Sequence, residues 1–108
     1  MAQSIPAPIA AYFAGSNEQD ADAALAAFAE AATVVDEGHT HVGTAAIRAW
    51  LFDVFAKYGV TATVTDVARN GEVYRVAALV SGNFPGSPAV LHYEFVVEGA
   101  GIARLAIG

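Results

Sequence analysis

Apolar positions recur along this chain at two periods, and the change between them divides it. Over residues 5–16, Ile5, Ile9, Tyr12 and Phe13 fall at helical spacing, while Pro6 and Pro8 sit in the first turn, where a missing N–H costs little. That pattern predicts a helix ending near Gly15. Asp20 is placed to cap a short second helix, on which Leu25 and Phe28 lie three apart on one face. The β-branched run at residues 33–36 predicts a strand. Ile47, Trp50, Leu51, Val54, Phe55 and Tyr58 then form the clearest helical stripe, with Thr44 as its cap and Gly59 as its stop. Arg48, Asp53 and Lys57 lie off that stripe. So does Phe52, roughly 130° from its centre at about 100° per residue, and it is expected to touch a partner subunit or a neighbouring loop.

From Val60 the period becomes two. VTATVTDVAR alternates valine with small polar residues, Asn70-Gly71 is the dipeptide of a type I′ hairpin, and EVYRVAALVSG returns as a second long strand. NFPGSP is a loop, and AVLHYEFVVE and IARLAI complete an antiparallel meander. The predicted class is α+β: three N-terminal helices around one short strand, packed against a curved antiparallel sheet, as one domain over residues 1–108.

Composition narrows the chemistry. The 108 residues are 56% hydrophobic and 15% charged, but much of the apolar excess is alanine, and no run approaches the roughly 18 to 20 residues of a membrane span. The first fifteen residues carry no positive charge ahead of their apolar part and hold two prolines, so no secretory signal is expected and a cytoplasmic location is. Absence of cysteine removes disulfides, thiolate metal sites and cysteine nucleophiles together. The formal charge is −6, and the five bases, Arg48, Lys57, Arg69, Arg75 and Arg104, do not cluster, which argues against nucleic acid. The expected ligand is small and largely uncharged.

Candidate chemistry concentrates in VVDEGHTHVG, residues 34–43. Asp36 follows Val34 and Val35 at a strand end; it is either a carboxylate whose pKa is raised by apolar walls, as a general base needs, or a solvated acid. Tyr12 lies on the apolar stripe of the first helix, so its phenol must find a partner: Asp36, a water or a ligand oxygen. His39 and His41 are ligand types for zinc or iron, but they lie in a glycine-flanked loop with no distant fourth ligand in sight, so no metal is expected. They remain as exposed loop residues, or as an acid or donor at a pocket mouth, after Glu37 and Gly38 turn the chain. Alternation sets His92 and Glu94 opposite Leu91, Tyr93 and Phe95, which turns His92 outward toward a dimer interface. Bulky inward positions give the expected pocket walls: Phe13, Phe28, Trp50, Val54 and Phe55 from the helices, and Val34, Tyr74, Val76, Leu91, Tyr93 and Phe95 from the strands. Phe84 on the proline-rich loop is placed to cover the mouth.

Tyr12, the N-x-x-D at residues 17–20, Phe28 to Asp36 as FAEAATVVD and Gly43 to Arg48 as GTAAIR occur in an order and spacing that resembles the NTF2-like superfamily, and within it the SnoaL-like polyketide cyclases and ketosteroid isomerases. The resemblance covers essentially the whole chain. It implies an NTF2-like (cystatin-like) cone with an apolar pocket open at one end, a homodimer through the outer sheet face, and no metal or cofactor. It also implies roles: Tyr12 donates a hydrogen bond to a substrate oxygen, and Asp36 moves the proton. The protonated acid that completes the oxyanion hole of the isomerases falls on Leu91, which donates nothing. Loss of one such donor costs on the order of 10² to 10³ in rate, so full ketosteroid isomerase activity is not expected. Two readings follow: a proton-transfer enzyme acting on a carbonyl-bearing apolar molecule, or a non-catalytic cone that only binds one. With Ala31 where relatives usually carry an acid, an altered or engineered scaffold is a third.

Overall fold

A computed structural model describes residues 5–108, so residues 1–4 of the expected domain lie outside the described residues. Its helices are α1 (Ala7–Asn17), α2 (Ala21–Leu25) and α3 (Thr44–Tyr58). The strands are β1 (Phe28–Asp36), β2 (His39–Val42), β3 (Thr61–Asn70), β4 (Val73–Ser81), β5 (Ala89–Glu98) and β6 (Gly101–Ile107). One sheet takes them in the order β2-β1-β6-β5-β4-β3, with the helices on its inner face. The α+β class stands, but the sheet is not wholly antiparallel. β6 leaves the meander beside β1 and runs parallel to it, with Val34 opposite Leu105. Register shifts in the β1–β6, β3–β4 and β5–β6 pairs add bulges, which bend and twist the sheet around the helices.

Local chemistry explains most boundaries. The Asp20 carboxylate accepts from the Ala23 N–H at 3.1 Å and caps α2. Gly59 ends α3 in the left-handed conformation, its N–H donating to the Phe55 carbonyl at 3.0 Å. Gly15 is required by proximity: a Cβ there would stand 2.5 Å from the Ala24 nitrogen, so glycine lets α1 and α2 touch.

Several elements depart from the pattern in the sequence. Phe28 does not lie on α2 but opens β1, where it pairs with Ile102 and gains backbone partners that a longer helix would forgo. Thr44 is the first residue of α3 and not its cap; Gly43 occupies the cap, and the Thr44 hydroxyl donates to the Glu30 carbonyl instead. His39 to Val42 is not a loop but an edge strand paired with β1. The turn joining the two is Glu37-Gly38, with φ of 52° and 76°, the two positive values of a type I′ turn. Asn70-Gly71 is not such a turn, because Asn70 pairs with Val73 and leaves Gly71-Glu72 as the loop; only Gly71 has positive φ, the mark of type II′.

The core between helices and sheet is built on Ile9, Ile47, Leu51, Val76, Phe95, Ile102 and Leu105, each essentially inaccessible. Phe52 is half exposed and is covered by its own helix: the Arg48 guanidinium lies 4.6 Å over its ring while pairing with Asp22 at 3.2 Å. Among the described residues, no helix is long and apolar enough to cross a membrane.

Candidate functional site

A cavity of about 440 Å³ opens at one end of the cone, between α1, α3, the end of β1 and the inner face of the meander. That volume suits a small organic ligand. Asp36 reaches it because β1 alternates: Ala32 and Val34 are buried on the inner face, and Asp36 continues that face to the rim. Its Oδ2 accepts a hydrogen bond from Trp50 Nε1 at 3.0 Å. Burial pushes the Asp36 carboxyl above its ordinary pKa; the Trp50 bond works against that rise, and the neighbouring Glu37 charge adds to it.

Two phenols share the cavity with this carboxyl. Tyr12 and Tyr93 are each only 5% exposed and both line the same space. Burial holds Tyr12 well above the usual phenol range, with Tyr93 and then Asp36 adding to the rise and the Ser16 side chain opposing it. Tyr93 is pushed up to about 12, by burial first and by the Asp36 charge second. Both phenols therefore remain protonated at any ordinary pH, beside a carboxyl whose proton affinity is raised.

The rim is ordered by polar contacts. Glu37 holds a left-handed conformation in the β1–β2 turn, and its carboxylate accepts from the Tyr58 hydroxyl at 2.9 Å. Phe84 meets Tyr58 edge-on with centroids 6.2 Å apart. Its loop is tied to the end of α3 by the Asn83 N–H donating to the Tyr58 carbonyl at 2.7 Å. Asp36 and Glu37 are the charged residues of the lining, which contains no lysine or arginine.

Of the residues singled out in the sequence, the structure brings Tyr12, Asp36, Trp50, Val54, Phe55, Leu91 and Tyr93 together around this cavity, with Phe84 at its edge. It does not bring Phe13, Phe28, Val34, Tyr74, Val76 and Phe95 there. Phe13, Val34, Val76 and Phe95 fill the core. Phe28 packs edge-on to Tyr12 at 5.7 Å, and Tyr74 lies under the Arg69 guanidinium at 5.3 Å. All lie on inward faces, but none of them lines the cavity. Ser16, Leu51, Tyr58, Val60, Ala62, Val80, Pro85 and Ile107 join the lining without having been singled out as walls. Ser16 had a usable signal, standing one helical turn after Tyr12.

His39 and His41 do not line the cavity. His39 is exposed, with Nδ1 3.2 Å from the Glu37 carbonyl oxygen. His41 lies 6.0 Å from the Trp50 ring and borders a more open hollow with Asp36, Asp53 and Lys57. Among the described residues, no group of three or more histidines and carboxylates is gathered as metal ligands are. His92 is exposed on the outer face of the sheet.

A bent sheet wrapped around helices, open at one end on a cavity, is the NTF2-like fold. Within that class the chain belongs to the SnoaL-like domain family, which it matches over residues 9–106. A solved structure from Sinorhizobium meliloti, provisionally described as a polyketide cyclase, is 36% identical, with a TM-score of 0.91 and coverage of 96% of this chain and 95% of that one. A Catenulispora acidiphila protein of ketosteroid isomerase-like fold, solved with trimethylamine, is 23% identical over 97% of this chain and 86% of that one, with a TM-score of 0.84. The epoxide hydrolase/cyclase-like enzyme SalBIII, which acts in pyran ring formation in the polyether salinomycin, is 22% identical over 93% and 85% of the two chains, with a TM-score of 0.75. At these last two identities the likeness is one of fold. No curated protein matches the sequence.

Proposed function

We propose that this chain is a proton-transfer enzyme of the isomerase or cyclase kind, acting on a small, uncharged, carbonyl-bearing apolar molecule. The observation that carries the reading is the Asp36 carboxyl, raised in proton affinity at an apolar cavity that also holds the Tyr12 phenol. The Asp36 oxygen not engaged by Trp50 removes a proton from the carbon next to the carbonyl, and the C–H electron pair moves into an enolate. Tyr12 donates a hydrogen bond to the oxygen as its charge develops, which is the interaction that strengthens in the transition state. Asp36 then returns the proton at another carbon, or the enolate closes a ring. No step calls for a metal or cofactor. A lining whose charges are both carboxylates repels anionic ligands, which supports an uncharged substrate. The 36% identical relative supports the cyclase side of the reading.

A binding protein without turnover is the second reading, favoured by Leu91, which adds apolar wall where an acid would complete the oxyanion hole. The same proposal takes residues 1–108 as one cytoplasmic domain that binds neither nucleic acid nor membrane and pairs with a second copy through its outer sheet face. Leu79 and Val90, cross-strand neighbours exposed at 41% and 53%, support that pairing; a monomeric mass by light scattering at high concentration would count against it.

The test is isomerisation of a β,γ-unsaturated ketosteroid by the wild type and Asp36→Asn, with steroid binding followed through Trp50, the single tryptophan and a wall residue. Turnover lost in Asp36→Asn with binding retained is the expected result. Equal turnover in both proteins sinks the role of Asp36, and binding without turnover in either moves the assignment to the binding protein.

A further inference from the structure

The mechanism above leaves a substrate oxygen with one donor, because the Leu91 side chain carries no polar atom. Two positions along the same strand, and therefore on the same inward face, stands Tyr93. It lines the cavity together with Asp36 and Tyr12. Its ring is fixed by the core: Phe13 meets it edge-on at 5.1 Å, and Phe95 stacks beside it at 6.1 Å with 9° between the planes. Tyr12 is held edge-on by the same two rings, at 5.3 Å from Phe13 and 5.8 Å from Phe95. Both phenols are thus mounted on one aromatic pair, and both feel the charge of Asp36.

The Tyr93 hydroxyl is also uncommitted. Among the described residues no hydrogen bond from the protein reaches it, yet no fully buried polar side-chain atom is left unsatisfied. Its oxygen therefore opens on the cavity, where only a ligand or solvent can pair with it. An O–H donor with no partner in the protein, fixed on the wall of a cavity, is what an oxyanion hole is made of.

Resting on the proton-transfer reading, we propose that Tyr93 is the second O–H donor to the substrate oxygen, taking from two residues away the role that an acid at position 91 would fill. The site then selects uncharged ligands whose oxygen accepts two hydrogen bonds at once: enolisable ketones, and phenols as mimics of their enols. Charge balances along the reaction, since the single negative charge starts on Asp36 and ends on the oxygen between the two phenols, while Asp36 holds the proton.

The experiment compares 2-naphthol, an enol mimic, with naphthalene, which has the same rings and no oxygen, by equilibrium dialysis against the wild type, Tyr93→Phe and Tyr12→Phe. The wild type should prefer naphthol. Each variant should cut that preference by about three- to tenfold, the range of one lost hydrogen bond, with naphthalene affinity unchanged. Because no protein group pairs with the Tyr93 oxygen, Tyr93→Phe should keep the wild-type melting temperature. A preference that falls in Tyr12→Phe but not in Tyr93→Phe overturns the assignment of Tyr93 and leaves the proton-transfer reading intact. A wild type that binds both probes equally, or neither, overturns both.

Discussion

Replacing Trp50 with phenylalanine should make Asp36 harder to ionise. The indole N–H is the hydrogen bond that the Asp36 carboxylate receives from another side chain, at 3.0 Å, and it is the largest influence opposing the rise that burial imposes. A hydrogen bond to a charged acceptor contributes about 1.5 to 3 kcal/mol when no water can replace it. Asp36 sits at the cavity mouth and is partly exposed, so water recovers some of that, and a net loss of about 1 kcal/mol is the reasonable expectation. The sign follows directly. Losing a bond made only to the ionised form moves the Asp36 titration to higher pH, so the proportion ionised on the acid side of the midpoint falls by a factor of about five. The direct assay needs no substrate: the carbon-13 resonance of the Asp36 carboxyl is followed against pH in both proteins. If a turnover assay is in hand, the variant should lose most on the acid limb and recover as pH rises, whereas a packing defect would lower the rate equally across the profile. A carboxyl midpoint that stays put, or moves down, would refute the claim that Trp50 tunes Asp36.

Asp36 should also cost the fold stability at neutral pH. A carboxyl raised above its ordinary value of 3.8 binds more protons folded than unfolded, so stability declines as pH rises from about 3.8 through the folded-state titration. Asp36→Asn keeps a carbonyl oxygen for Trp50 and removes the charge, so its melting temperature should gain on the wild type between pH 4 and pH 7; an unchanged difference would contradict the raised affinity. Gly15→Ala should destabilise by about 1 to 3 kcal/mol, because the new methyl meets Ala24 backbone and not a side chain that can turn away. Denaturant unfolding checks this, and a change inside about 0.5 kcal/mol, the usual range for surface substitutions, would mean that the α1–α2 contact is looser than described. Glu37→Asn should gain up to about 1 kcal/mol from a residue that tolerates positive φ, offset by the lost Tyr58 bond, and the same unfolding curves report its sign.

The faces of the helices and strands were legible because burial follows period. Stripe residues Ile47, Trp50 and Leu51 are buried on α3, and Val76, Tyr93 and Phe95 point inward from β4 and β5 as alternation requires. Pairings were less so. The contact of Phe28 with Ile102 spans most of the chain and leaves no local mark, so the parallel β1–β6 ladder could not be read from periodicity. β2 is short, polar and at the sheet edge, the composition by which edges are kept from aggregating, and in sequence this is indistinguishable from a loop. The Asn-Gly dipeptide misled for a related reason: it is the better type I′ sequence, but register is fixed by the paired strands, and Asn70 pairing with Val73 puts the turn at Gly71-Glu72.

For the site, period reveals direction but not depth. Phe13, Phe95 and Tyr93 all point inward, yet only Tyr93 reaches the open space, and the difference arises from where the cone narrows, which depends on every bulge along the sheet. The same limit hides the partner of Asp36. Trp50 lies fourteen residues away across a turn, an edge strand and the first half of a helix, and its N–H meets the carboxylate only because the β1–β2 hairpin returns the chain to the start of α3. That route has a mechanical consequence. The left-handed Glu37 sits next to Asp36 in the turn of this hairpin, so a change in the turn displaces the carboxyl before it displaces either phenol, which are mounted on Phe13 and Phe95. The carboxyl and the two phenols are therefore anchored by separate parts of the fold, and under the proposed mechanism substitutions in the β1–β2 turn should disturb proton transfer while sparing recognition of the ligand oxygen.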